Sequence, residues 1–156
     1  MRVKIVAIGR LKSHPEGVIF DDYRSRFDKL GKFLGLGPLK NIELDDRKAS
    51  KKGGEADLIL RALSNDLYPV ALDERGDQLN SPKFSQLIAQ SRDAGHITLT
   101  FVIGGADGLH HSVLERCQKS ISLGTMVWPH MLARVMLSEQ LYRAATILAG
   151  TPYHRE

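Results

Sequence analysis

Cysteine is almost absent: Cys117 is the single one in 156 residues. That excludes an intramolecular disulfide and a cysteine zinc cage, and it reads as an ordinary thiol of a reducing compartment. Long apolar runs are missing too. The opening stretch MRVKIVAIGRLK has too short an apolar run for a signal peptide, and nothing approaches the roughly 20 residues of a membrane-spanning helix. Internal repeats and low-complexity tracts are absent. The expectation is a soluble, cytoplasmic protein with no membrane partner.

What is present is ordinary globular composition, 42% hydrophobic and 26% charged, which argues against disorder. The length predicts a single domain, residues 1–156. Such a chain buries roughly 70% of its unfolded surface and needs no metal or disulfide staple. The net charge is +4, from 22 basic and 18 acidic residues. This permits a polyanionic partner without demanding one.

Along the chain, Val3 to Ile8 reads as a buried strand. Ile19, Tyr23, Phe27 and Leu30 mark a helix, broken by the segment 33–38. Leu39 to Leu44 is a second strand, and Arg47 to Gly54 (RKASKKGG) a basic loop. A helix is predicted from Glu55 to Leu67 and a third strand from Pro69 to Leu72, running into Asp73-Glu74-Arg75-Gly76. Ser81-Pro82 predicts an N-cap with proline at the first helical position, opening a helix to about Ala94. His96 to Ile103 is the clearest strand, ending at Gly104-Gly105. A short helix over Ser112–Cys117, a strand over Ser120–Leu123 and a long helix from Pro129 to about Leu148 complete the pattern. The alternation predicts an α/β fold with a mostly parallel sheet flanked by helices. Ligands in such sheets bind beyond the carboxyl ends of the strands, which singles out the loops after Leu72, Ile103 and Leu123.

Four segments carry chemistry. In IGGADGL, Ile103 to Leu109, glycines free the backbone to approach a ligand or adopt positive φ. The order G-G-x-x-G is not the dinucleotide fingerprint, and no Lys-Ser/Thr follows to make a P-loop. A tight turn without a ligand fits equally well. The loop Leu123 to Trp128 has no charge and could offer backbone groups to an adenine edge between apolar walls. The competing reading is a buried connection packed by Met126 and Trp128. In the last helix, His130 and Arg134 share a face, as do Glu139 and Arg143, the latter a bland surface or helix-stabilising pair. The tail sets Tyr153, His154 and Arg155 behind Pro152; these side chains can stack on a base, accept a proton and hold a carbonyl or phosphate. A frayed terminus is the alternative. Finally, Arg47, Lys48, Lys51 and Lys52 could grip a phosphate backbone or form a solvated loop. His110 and His111 are adjacent and point apart, so no metal is expected.

The string PHMLARVMLSEQLYRAATILAGTPYHRE resembles the close of the ribosomal RNA large-subunit methyltransferase H family. FVIGGADGL and VALDERGDQLNS resemble two more of its signatures, in the same order, and the likeness spans the whole chain. The resemblance implies a homodimeric methyltransferase of the SPOUT class with a C-terminal trefoil knot (an alpha-beta knot). Pattern alone would suggest an open sheet, since knots are rare. It further implies S-adenosylmethionine as cofactor and N3 of a pseudouridine in 23S ribosomal RNA, on the assembled ribosome, as the methyl acceptor. The cofactor-binding candidates are then Leu72, Gly104, Gly105, Leu123, Gly124, Thr125, Met126, Val127 and Trp128. Catalytic candidates are His154, Arg155, Tyr153 and His130. RNA-binding candidates are Arg47, Lys48, Lys51, Lys52 and Arg134. Family members often carry a Ser-Asn-Met-Thr-like loop where this chain has Gly124-Thr125-Met126-Val127.

A sulfonium methyl is already activated, so positioning matters more than acid catalysis. The N3 imide must lose a proton, which His154 or His130 could relay, while Arg155 would stabilise the developing anion. The tail is expected to reach the partner subunit's cofactor. Two rivals remain at this point: a non-catalytic RNA-binding or ribosome-assembly factor, and a doubly wound enzyme for another nucleotide cofactor.

Overall fold

The computed structural model describes residues 1–12, 14–45, 47 and 54–154. The chain runs β1 (Arg2–Ile8), α1 (Pro15–Gly31), a 3-10 turn (Lys32–Leu34), β2 (Leu39–Leu44), α2 (Gly54–Ala62), β3 (Pro69–Gln78), α3 (Ser81–Asp93), β4 (Thr98–Ile103), α4 (His111–Arg116), β5 (Lys119–Ser122) and α5 (His130–Leu148). The five strands form one sheet in the order β2-β1-β4-β3-β5, and every neighbouring pair is parallel.

Both faces of this sheet are covered, as parallel pairing requires. The period of two along β1 divides its side chains between two cores. Val3, Ile5 and Ala7 join Phe20 and Phe27 of α1, Phe84 and Ile88 of α3, and Leu137 and Leu141 of α5. Val6 and Ile8 turn the other way, to Ile59 of α2, Leu63, and Val113 of α4. β4 repeats the division, with Leu99, Phe101 and Ile103 on the first side and Val102 on the second. The carboxyl ends of β1, β4, β3 and β5 therefore emerge together between two anchored helical layers.

Several boundaries differ from the sequence pattern. α3 is capped by Asn80, whose Oδ1 accepts from Lys83 N at 3.0 Å; Ser81 instead donates to Gln140 Oε1 at 2.8 Å. Asparagine caps as well as serine, so the cap falls one residue earlier. α2 stops at Ala62, and Leu67 is 82% exposed; Arg116 Nη2 donates to the carbonyls of Leu63 and Asp66, satisfying backbone groups past the helix end. β4 begins at Thr98, because His96 stacks on Tyr68 with ring centroids 4.6 Å apart. β3 does not end at Leu72: after Asp73–Gly76 bulge out, pairing resumes, so that Leu72 and Asp77 both oppose Ile121. Gly76 makes this possible, since a Cβ there would lie 2.6 Å from Ile121 N. Among the described residues no helix is long and apolar enough to cross a membrane.

Candidate functional site

A cavity of about 370 Å³ opens at the bulge of β3 and beyond the ends of β4 and β5. Leu72 to Arg75 supply one wall, Ile103 to Leu109 a second, Ser122 to Trp128 (without Thr125) a third, and His130 and Ala133 of α5 the floor. Of the residues proposed for a cofactor, Leu72, Gly104, Gly105, Leu123, Gly124, Met126, Val127 and Trp128 thus come together, and Thr125 is not in the lining. Met126 is 67%, Val127 79% and Trp128 38% exposed. A buried connection packed by Met126 and Trp128 would not leave these side chains in solvent; they form an apolar rim.

The glycine turn is held from within. A Cβ on Gly104 would collide with Gly108 O. Gly108 N donates to Gly105 O at 3.2 Å, and Gly105 and Gly108 form an antiparallel bridge. On its outer side Gly105 N donates to Glu55 Oε2 at 3.2 Å. No sequence pattern flagged Glu55, because it lies fifty residues away in the chain and meets the turn only through the fold.

The charged side chains lining the cavity are Asp73, Glu74 and Asp107 against Arg75, with His130 on the floor. Arg75 is itself 3.8 Å from Glu74. The surplus of carboxylates favours a cationic ligand and opposes phosphate groups. His130 lies close over the end of β1: a Cβ on Gly9 would be 3.0 Å from its Nε2.

Arg134 corrects an expectation. It shares a helix face with His130, but one turn deeper that face meets the sheet rather than solvent, and Arg134 is 0% exposed. Its Nη2 donates to Ile8 O at 3.0 Å and its Nη1 to Gly9 O at 3.1 Å, with Glu43 Oε1 at 3.7 Å. Burial pulls the guanidinium below its usual pKa and Glu43 opposes the shift. Arg134 is an internal strut, withdrawn from RNA contact.

The tail, as far as residue 154, is packed rather than frayed. Tyr153 Oη donates to Glu139 Oε1 at 3.0 Å. Its ring lies 4.7 Å from that of Tyr142, and the Arg143 guanidinium sits 4.8 Å from its centroid. Arg143 Nε donates to Glu139 Oε1 at 3.0 Å, and His154 Nδ1 is 3.5 Å from Arg143 Nη1. The Glu139–Arg143 pair, expected as bland surface, is thus the tail's anchor. Burial, followed by hydrogen bonding with Tyr23 and Glu139, pushes the Tyr153 phenol above its ordinary pKa.

His154 lines a second cavity of about 770 Å³ between α1, the start of α3 and α5. Ser122, Leu123 and Gly124 form a wall common to both cavities. Within one chain, therefore, His130 faces the first space and His154 the second, and Tyr153 lines neither. Arg155, Lys48, Lys51 and Lys52 lie outside the described residues. Arg47 bonds Asp45 through Nε at 2.9 Å and Nη2 at 2.8 Å, and holds that carboxyl far below its usual range. His110 Nδ1 accepts from Ser112 N and caps α4, while His111 is 3.5 Å from Glu115. Among the described residues no group of three His, Cys, Asp or Glu could hold a metal ion.

Comparison with known proteins bears on this geometry. Residues 1–154 match a family model described as "Predicted SPOUT methyltransferase". The ribosomal RNA large subunit methyltransferase H of Ruegeria pomeroyi is 55% identical over 155 residues, 99% of each chain. That of Dinoroseobacter shibae is 52% identical over the same span. Among solved structures, a probable methyltransferase from Bordetella pertussis aligns over 92% of this chain and 94% of its own, at TM-score 0.55 and 15% identity. A probable methylase family protein from Haemophilus influenzae aligns over 99% and 70%, at TM-score 0.57 and 15% identity. At that identity the two structures speak to the fold alone.

Proposed function

Since the chain belongs to the SPOUT methyltransferase family, and is a methyltransferase with the knotted C-terminal half that membership implies, we propose that it methylates ribosomal RNA of the large subunit. The finer reading is that one domain spanning the chain uses S-adenosylmethionine to methylate N3 of a pseudouridine in 23S ribosomal RNA. It does so in the cytoplasm, on the assembled ribosome, as a homodimer without metal.

The observation that carries this is the cavity at the strand ends. Its volume lies in the range of small-molecule sites. The 123–128 loop offers backbone groups and apolar walls to an adenosine, and Asp73, Glu74 and Asp107 suit a ligand carrying a sulfonium and an ammonium. The same carboxylates would repel the phosphates of a nucleotide or dinucleotide. When bound, S-adenosylmethionine supplies an activated methyl group; the protein's share is placement and proton handling.

For that share, His130 is the histidine that lines the cavity within one chain, and a histidine can take the N3 proton near neutral pH. Tyr153, its phenol raised and its hydroxyl bonded to Glu139, acts as an anchor and donor rather than a base. His154 and Arg155 approach the reacting base from the partner subunit's tail, where the arginine charge offsets the anion on the imide carbonyls. Arg47, Lys48, Lys51 and Lys52 hold ribosomal phosphates.

Calorimetry tests the cofactor. Micromolar binding of S-adenosylmethionine without affinity for NAD or ATP is expected; no binding of any of the three would leave a non-catalytic assembly factor. Mass spectrometry of 23S RNA from a strain lacking the protein tests the product. A normal level of N3-methylpseudouridine there would overturn the substrate assignment.

A further inference from the structure

The Gly104–Gly108 turn has glycine at 105 for a reason that sequence alone does not reveal. A Cβ built on Gly105 would lie 2.5 Å from Glu55 Oε1 and 2.7 Å from Oε2. The space that a side chain would occupy is filled by a carboxylate of the protein itself. The same carboxylate accepts from Gly105 N at 3.2 Å. The other side of the residue is engaged too, since Gly105 O accepts from Gly108 N. Glu55 therefore closes the open side of a turn that forms one wall of the cavity.

Glu55 is held firmly enough to do this. It stands in the first turn of α2, where a negative charge is favoured by the helix dipole. α2 is tied to the sheet by Ile59, and the turn beyond it by Leu63, both fully enclosed among Val6, Val102 and Val113. A carboxylate on an anchored helix can fix a backbone peptide that would otherwise have to be ordered by the ligand.

We infer that Glu55 is a positioning residue of the methyltransferase: it sets the Gly104–Gly105 wall in its cofactor-binding shape without lying in the cavity. The inference rests on the cofactor reading above. It differs from the simpler account in which Gly105 is glycine only so that its backbone can meet the ligand. On the present account, adding a methyl at 105 acts by expelling Glu55. The carboxylate is the far end of a flexible side chain and can swing away, so the turn is released while the fold survives.

The two accounts separate in a double-mutant cycle read by calorimetry with S-adenosylmethionine, with folding of each variant checked by thermal melting. Glu55→Ala removes a charge-assisted hydrogen bond and is expected to weaken binding by about tenfold. The loss should fall on KM for S-adenosylmethionine, with KM for ribosomes unchanged. Glu55→Gln keeps an acceptor for Gly105 N and should bind within about threefold of wild type. Gly105→Ala should weaken binding by a factor similar to Glu55→Ala, and the double variant should be no weaker than the weaker single. Multiplying losses in the double variant would overturn the inference, as would wild-type affinity in folded Glu55→Ala. If the wild-type protein takes up no S-adenosylmethionine, the cofactor reading itself falls and takes the role of Glu55 with it.

Discussion

The hydroxyl of Tyr153 donates to Glu139 Oε1 at 3.0 Å, and through that bond the end of the chain is fastened to the middle of its last helix. Arg143 completes the lock, bonding Glu139 and covering the Tyr153 ring. Tyr153→Phe keeps the ring contacts and removes the donor, so it should lower stability by about 1 kcal/mol. The phenol's pKa is raised above the ordinary 10.0. The unfolded chain therefore loses its proton first as pH rises. The stabilisation is complete below pH 10 and declines above it. Thermal melts between pH 8 and 11 should show wild type and Tyr153→Phe converging at the alkaline end; a constant offset would mean that folding does not raise the phenol, and coincident curves that the bond contributes nothing.

Arg134 makes a second prediction, on stability rather than docking. Arg134→Ala would leave Ile8 O and Gly9 O without their donor and Glu43 without its cation. A loss of about 3–5 kcal/mol is expected for breaking such a buried arrangement, seen as a lower denaturant midpoint. Arg134→Lys should recover little, because a single ammonium cannot reproduce the fork that reaches two carbonyls. If an Arg134 variant instead kept its stability and flattened the salt dependence of ribosome binding, the strut assignment would be wrong.

Burial gives Cys117 a testable reactivity. Desolvation pushes its thiol up to about 11, against a small opposing pull from Arg116. Relative to a thiol near 9, the thiolate fraction at pH 8 is smaller by roughly a hundredfold. A thiolate of higher pKa is also more nucleophilic, so iodoacetamide should label native Cys117 slower by about tenfold or more than the same residue in denaturant. Equal rates would contradict the burial that the fold gives it.

The element order and the sheet's parallel sense were legible because periodicity and turn residues report local backbone preference. The apolar run Val3 to Ile8 shows a buried strand, although only the fold divides Val3, Ile5 and Ala7 from Val6 and Ile8. The gathering of Leu72, Gly105 and Leu123 was legible too, since strand ends of a parallel sheet share one edge. What escaped were consequences of long-range placement. Nothing local distinguishes Arg134, buried on two carbonyls, from an arginine on a helix surface. The glycine at 105 was visible, but not that Glu55 fills the space beside it. The bulge of Asp73–Gly76 looked like a strand end because its residues favour turns. Pairing with β5 resumes only because Gly76 lets the chain lie against Ile121.

The basic segment supplies a prediction about salt. Changing Lys48, Lys51 and Lys52 to alanine removes up to three phosphate contacts, each contributing about −0.7 to −0.9 to the log–log salt slope. Ribosome affinity should fall and its salt dependence should flatten by up to about 2–3, with S-adenosylmethionine affinity unmoved. Arg47, already committed to Asp45, should contribute less than the lysines when changed alone. An unchanged slope in filter binding across a salt series would make the segment a solvated loop.

The division of histidines between two cavities leads to the sharpest test. His130 lines the cavity at the strand ends and His154 lines the space beyond Ser122–Gly124. If catalysis needs both, one pocket must draw its tail from a partner subunit. Deleting residues 153–156 should then abolish methyl transfer while leaving S-adenosylmethionine binding within a few-fold. Gly105→Val should abolish cofactor binding in its own subunit, by expelling Glu55 and crowding the turn. Neither protein should methylate ribosomes alone. In a mixed dimer, one pocket would join the intact cavity of the truncated subunit to the intact tail of the Gly105→Val subunit, so mixing should restore activity, to about a quarter of wild type if subunits pair at random and each of the two wild-type pockets works alone. Full activity in the truncated protein would remove the tail from the site. Inactivity in a mixture whose hybrid dimers are demonstrated by native mass spectrometry would place the tail's action within its own subunit.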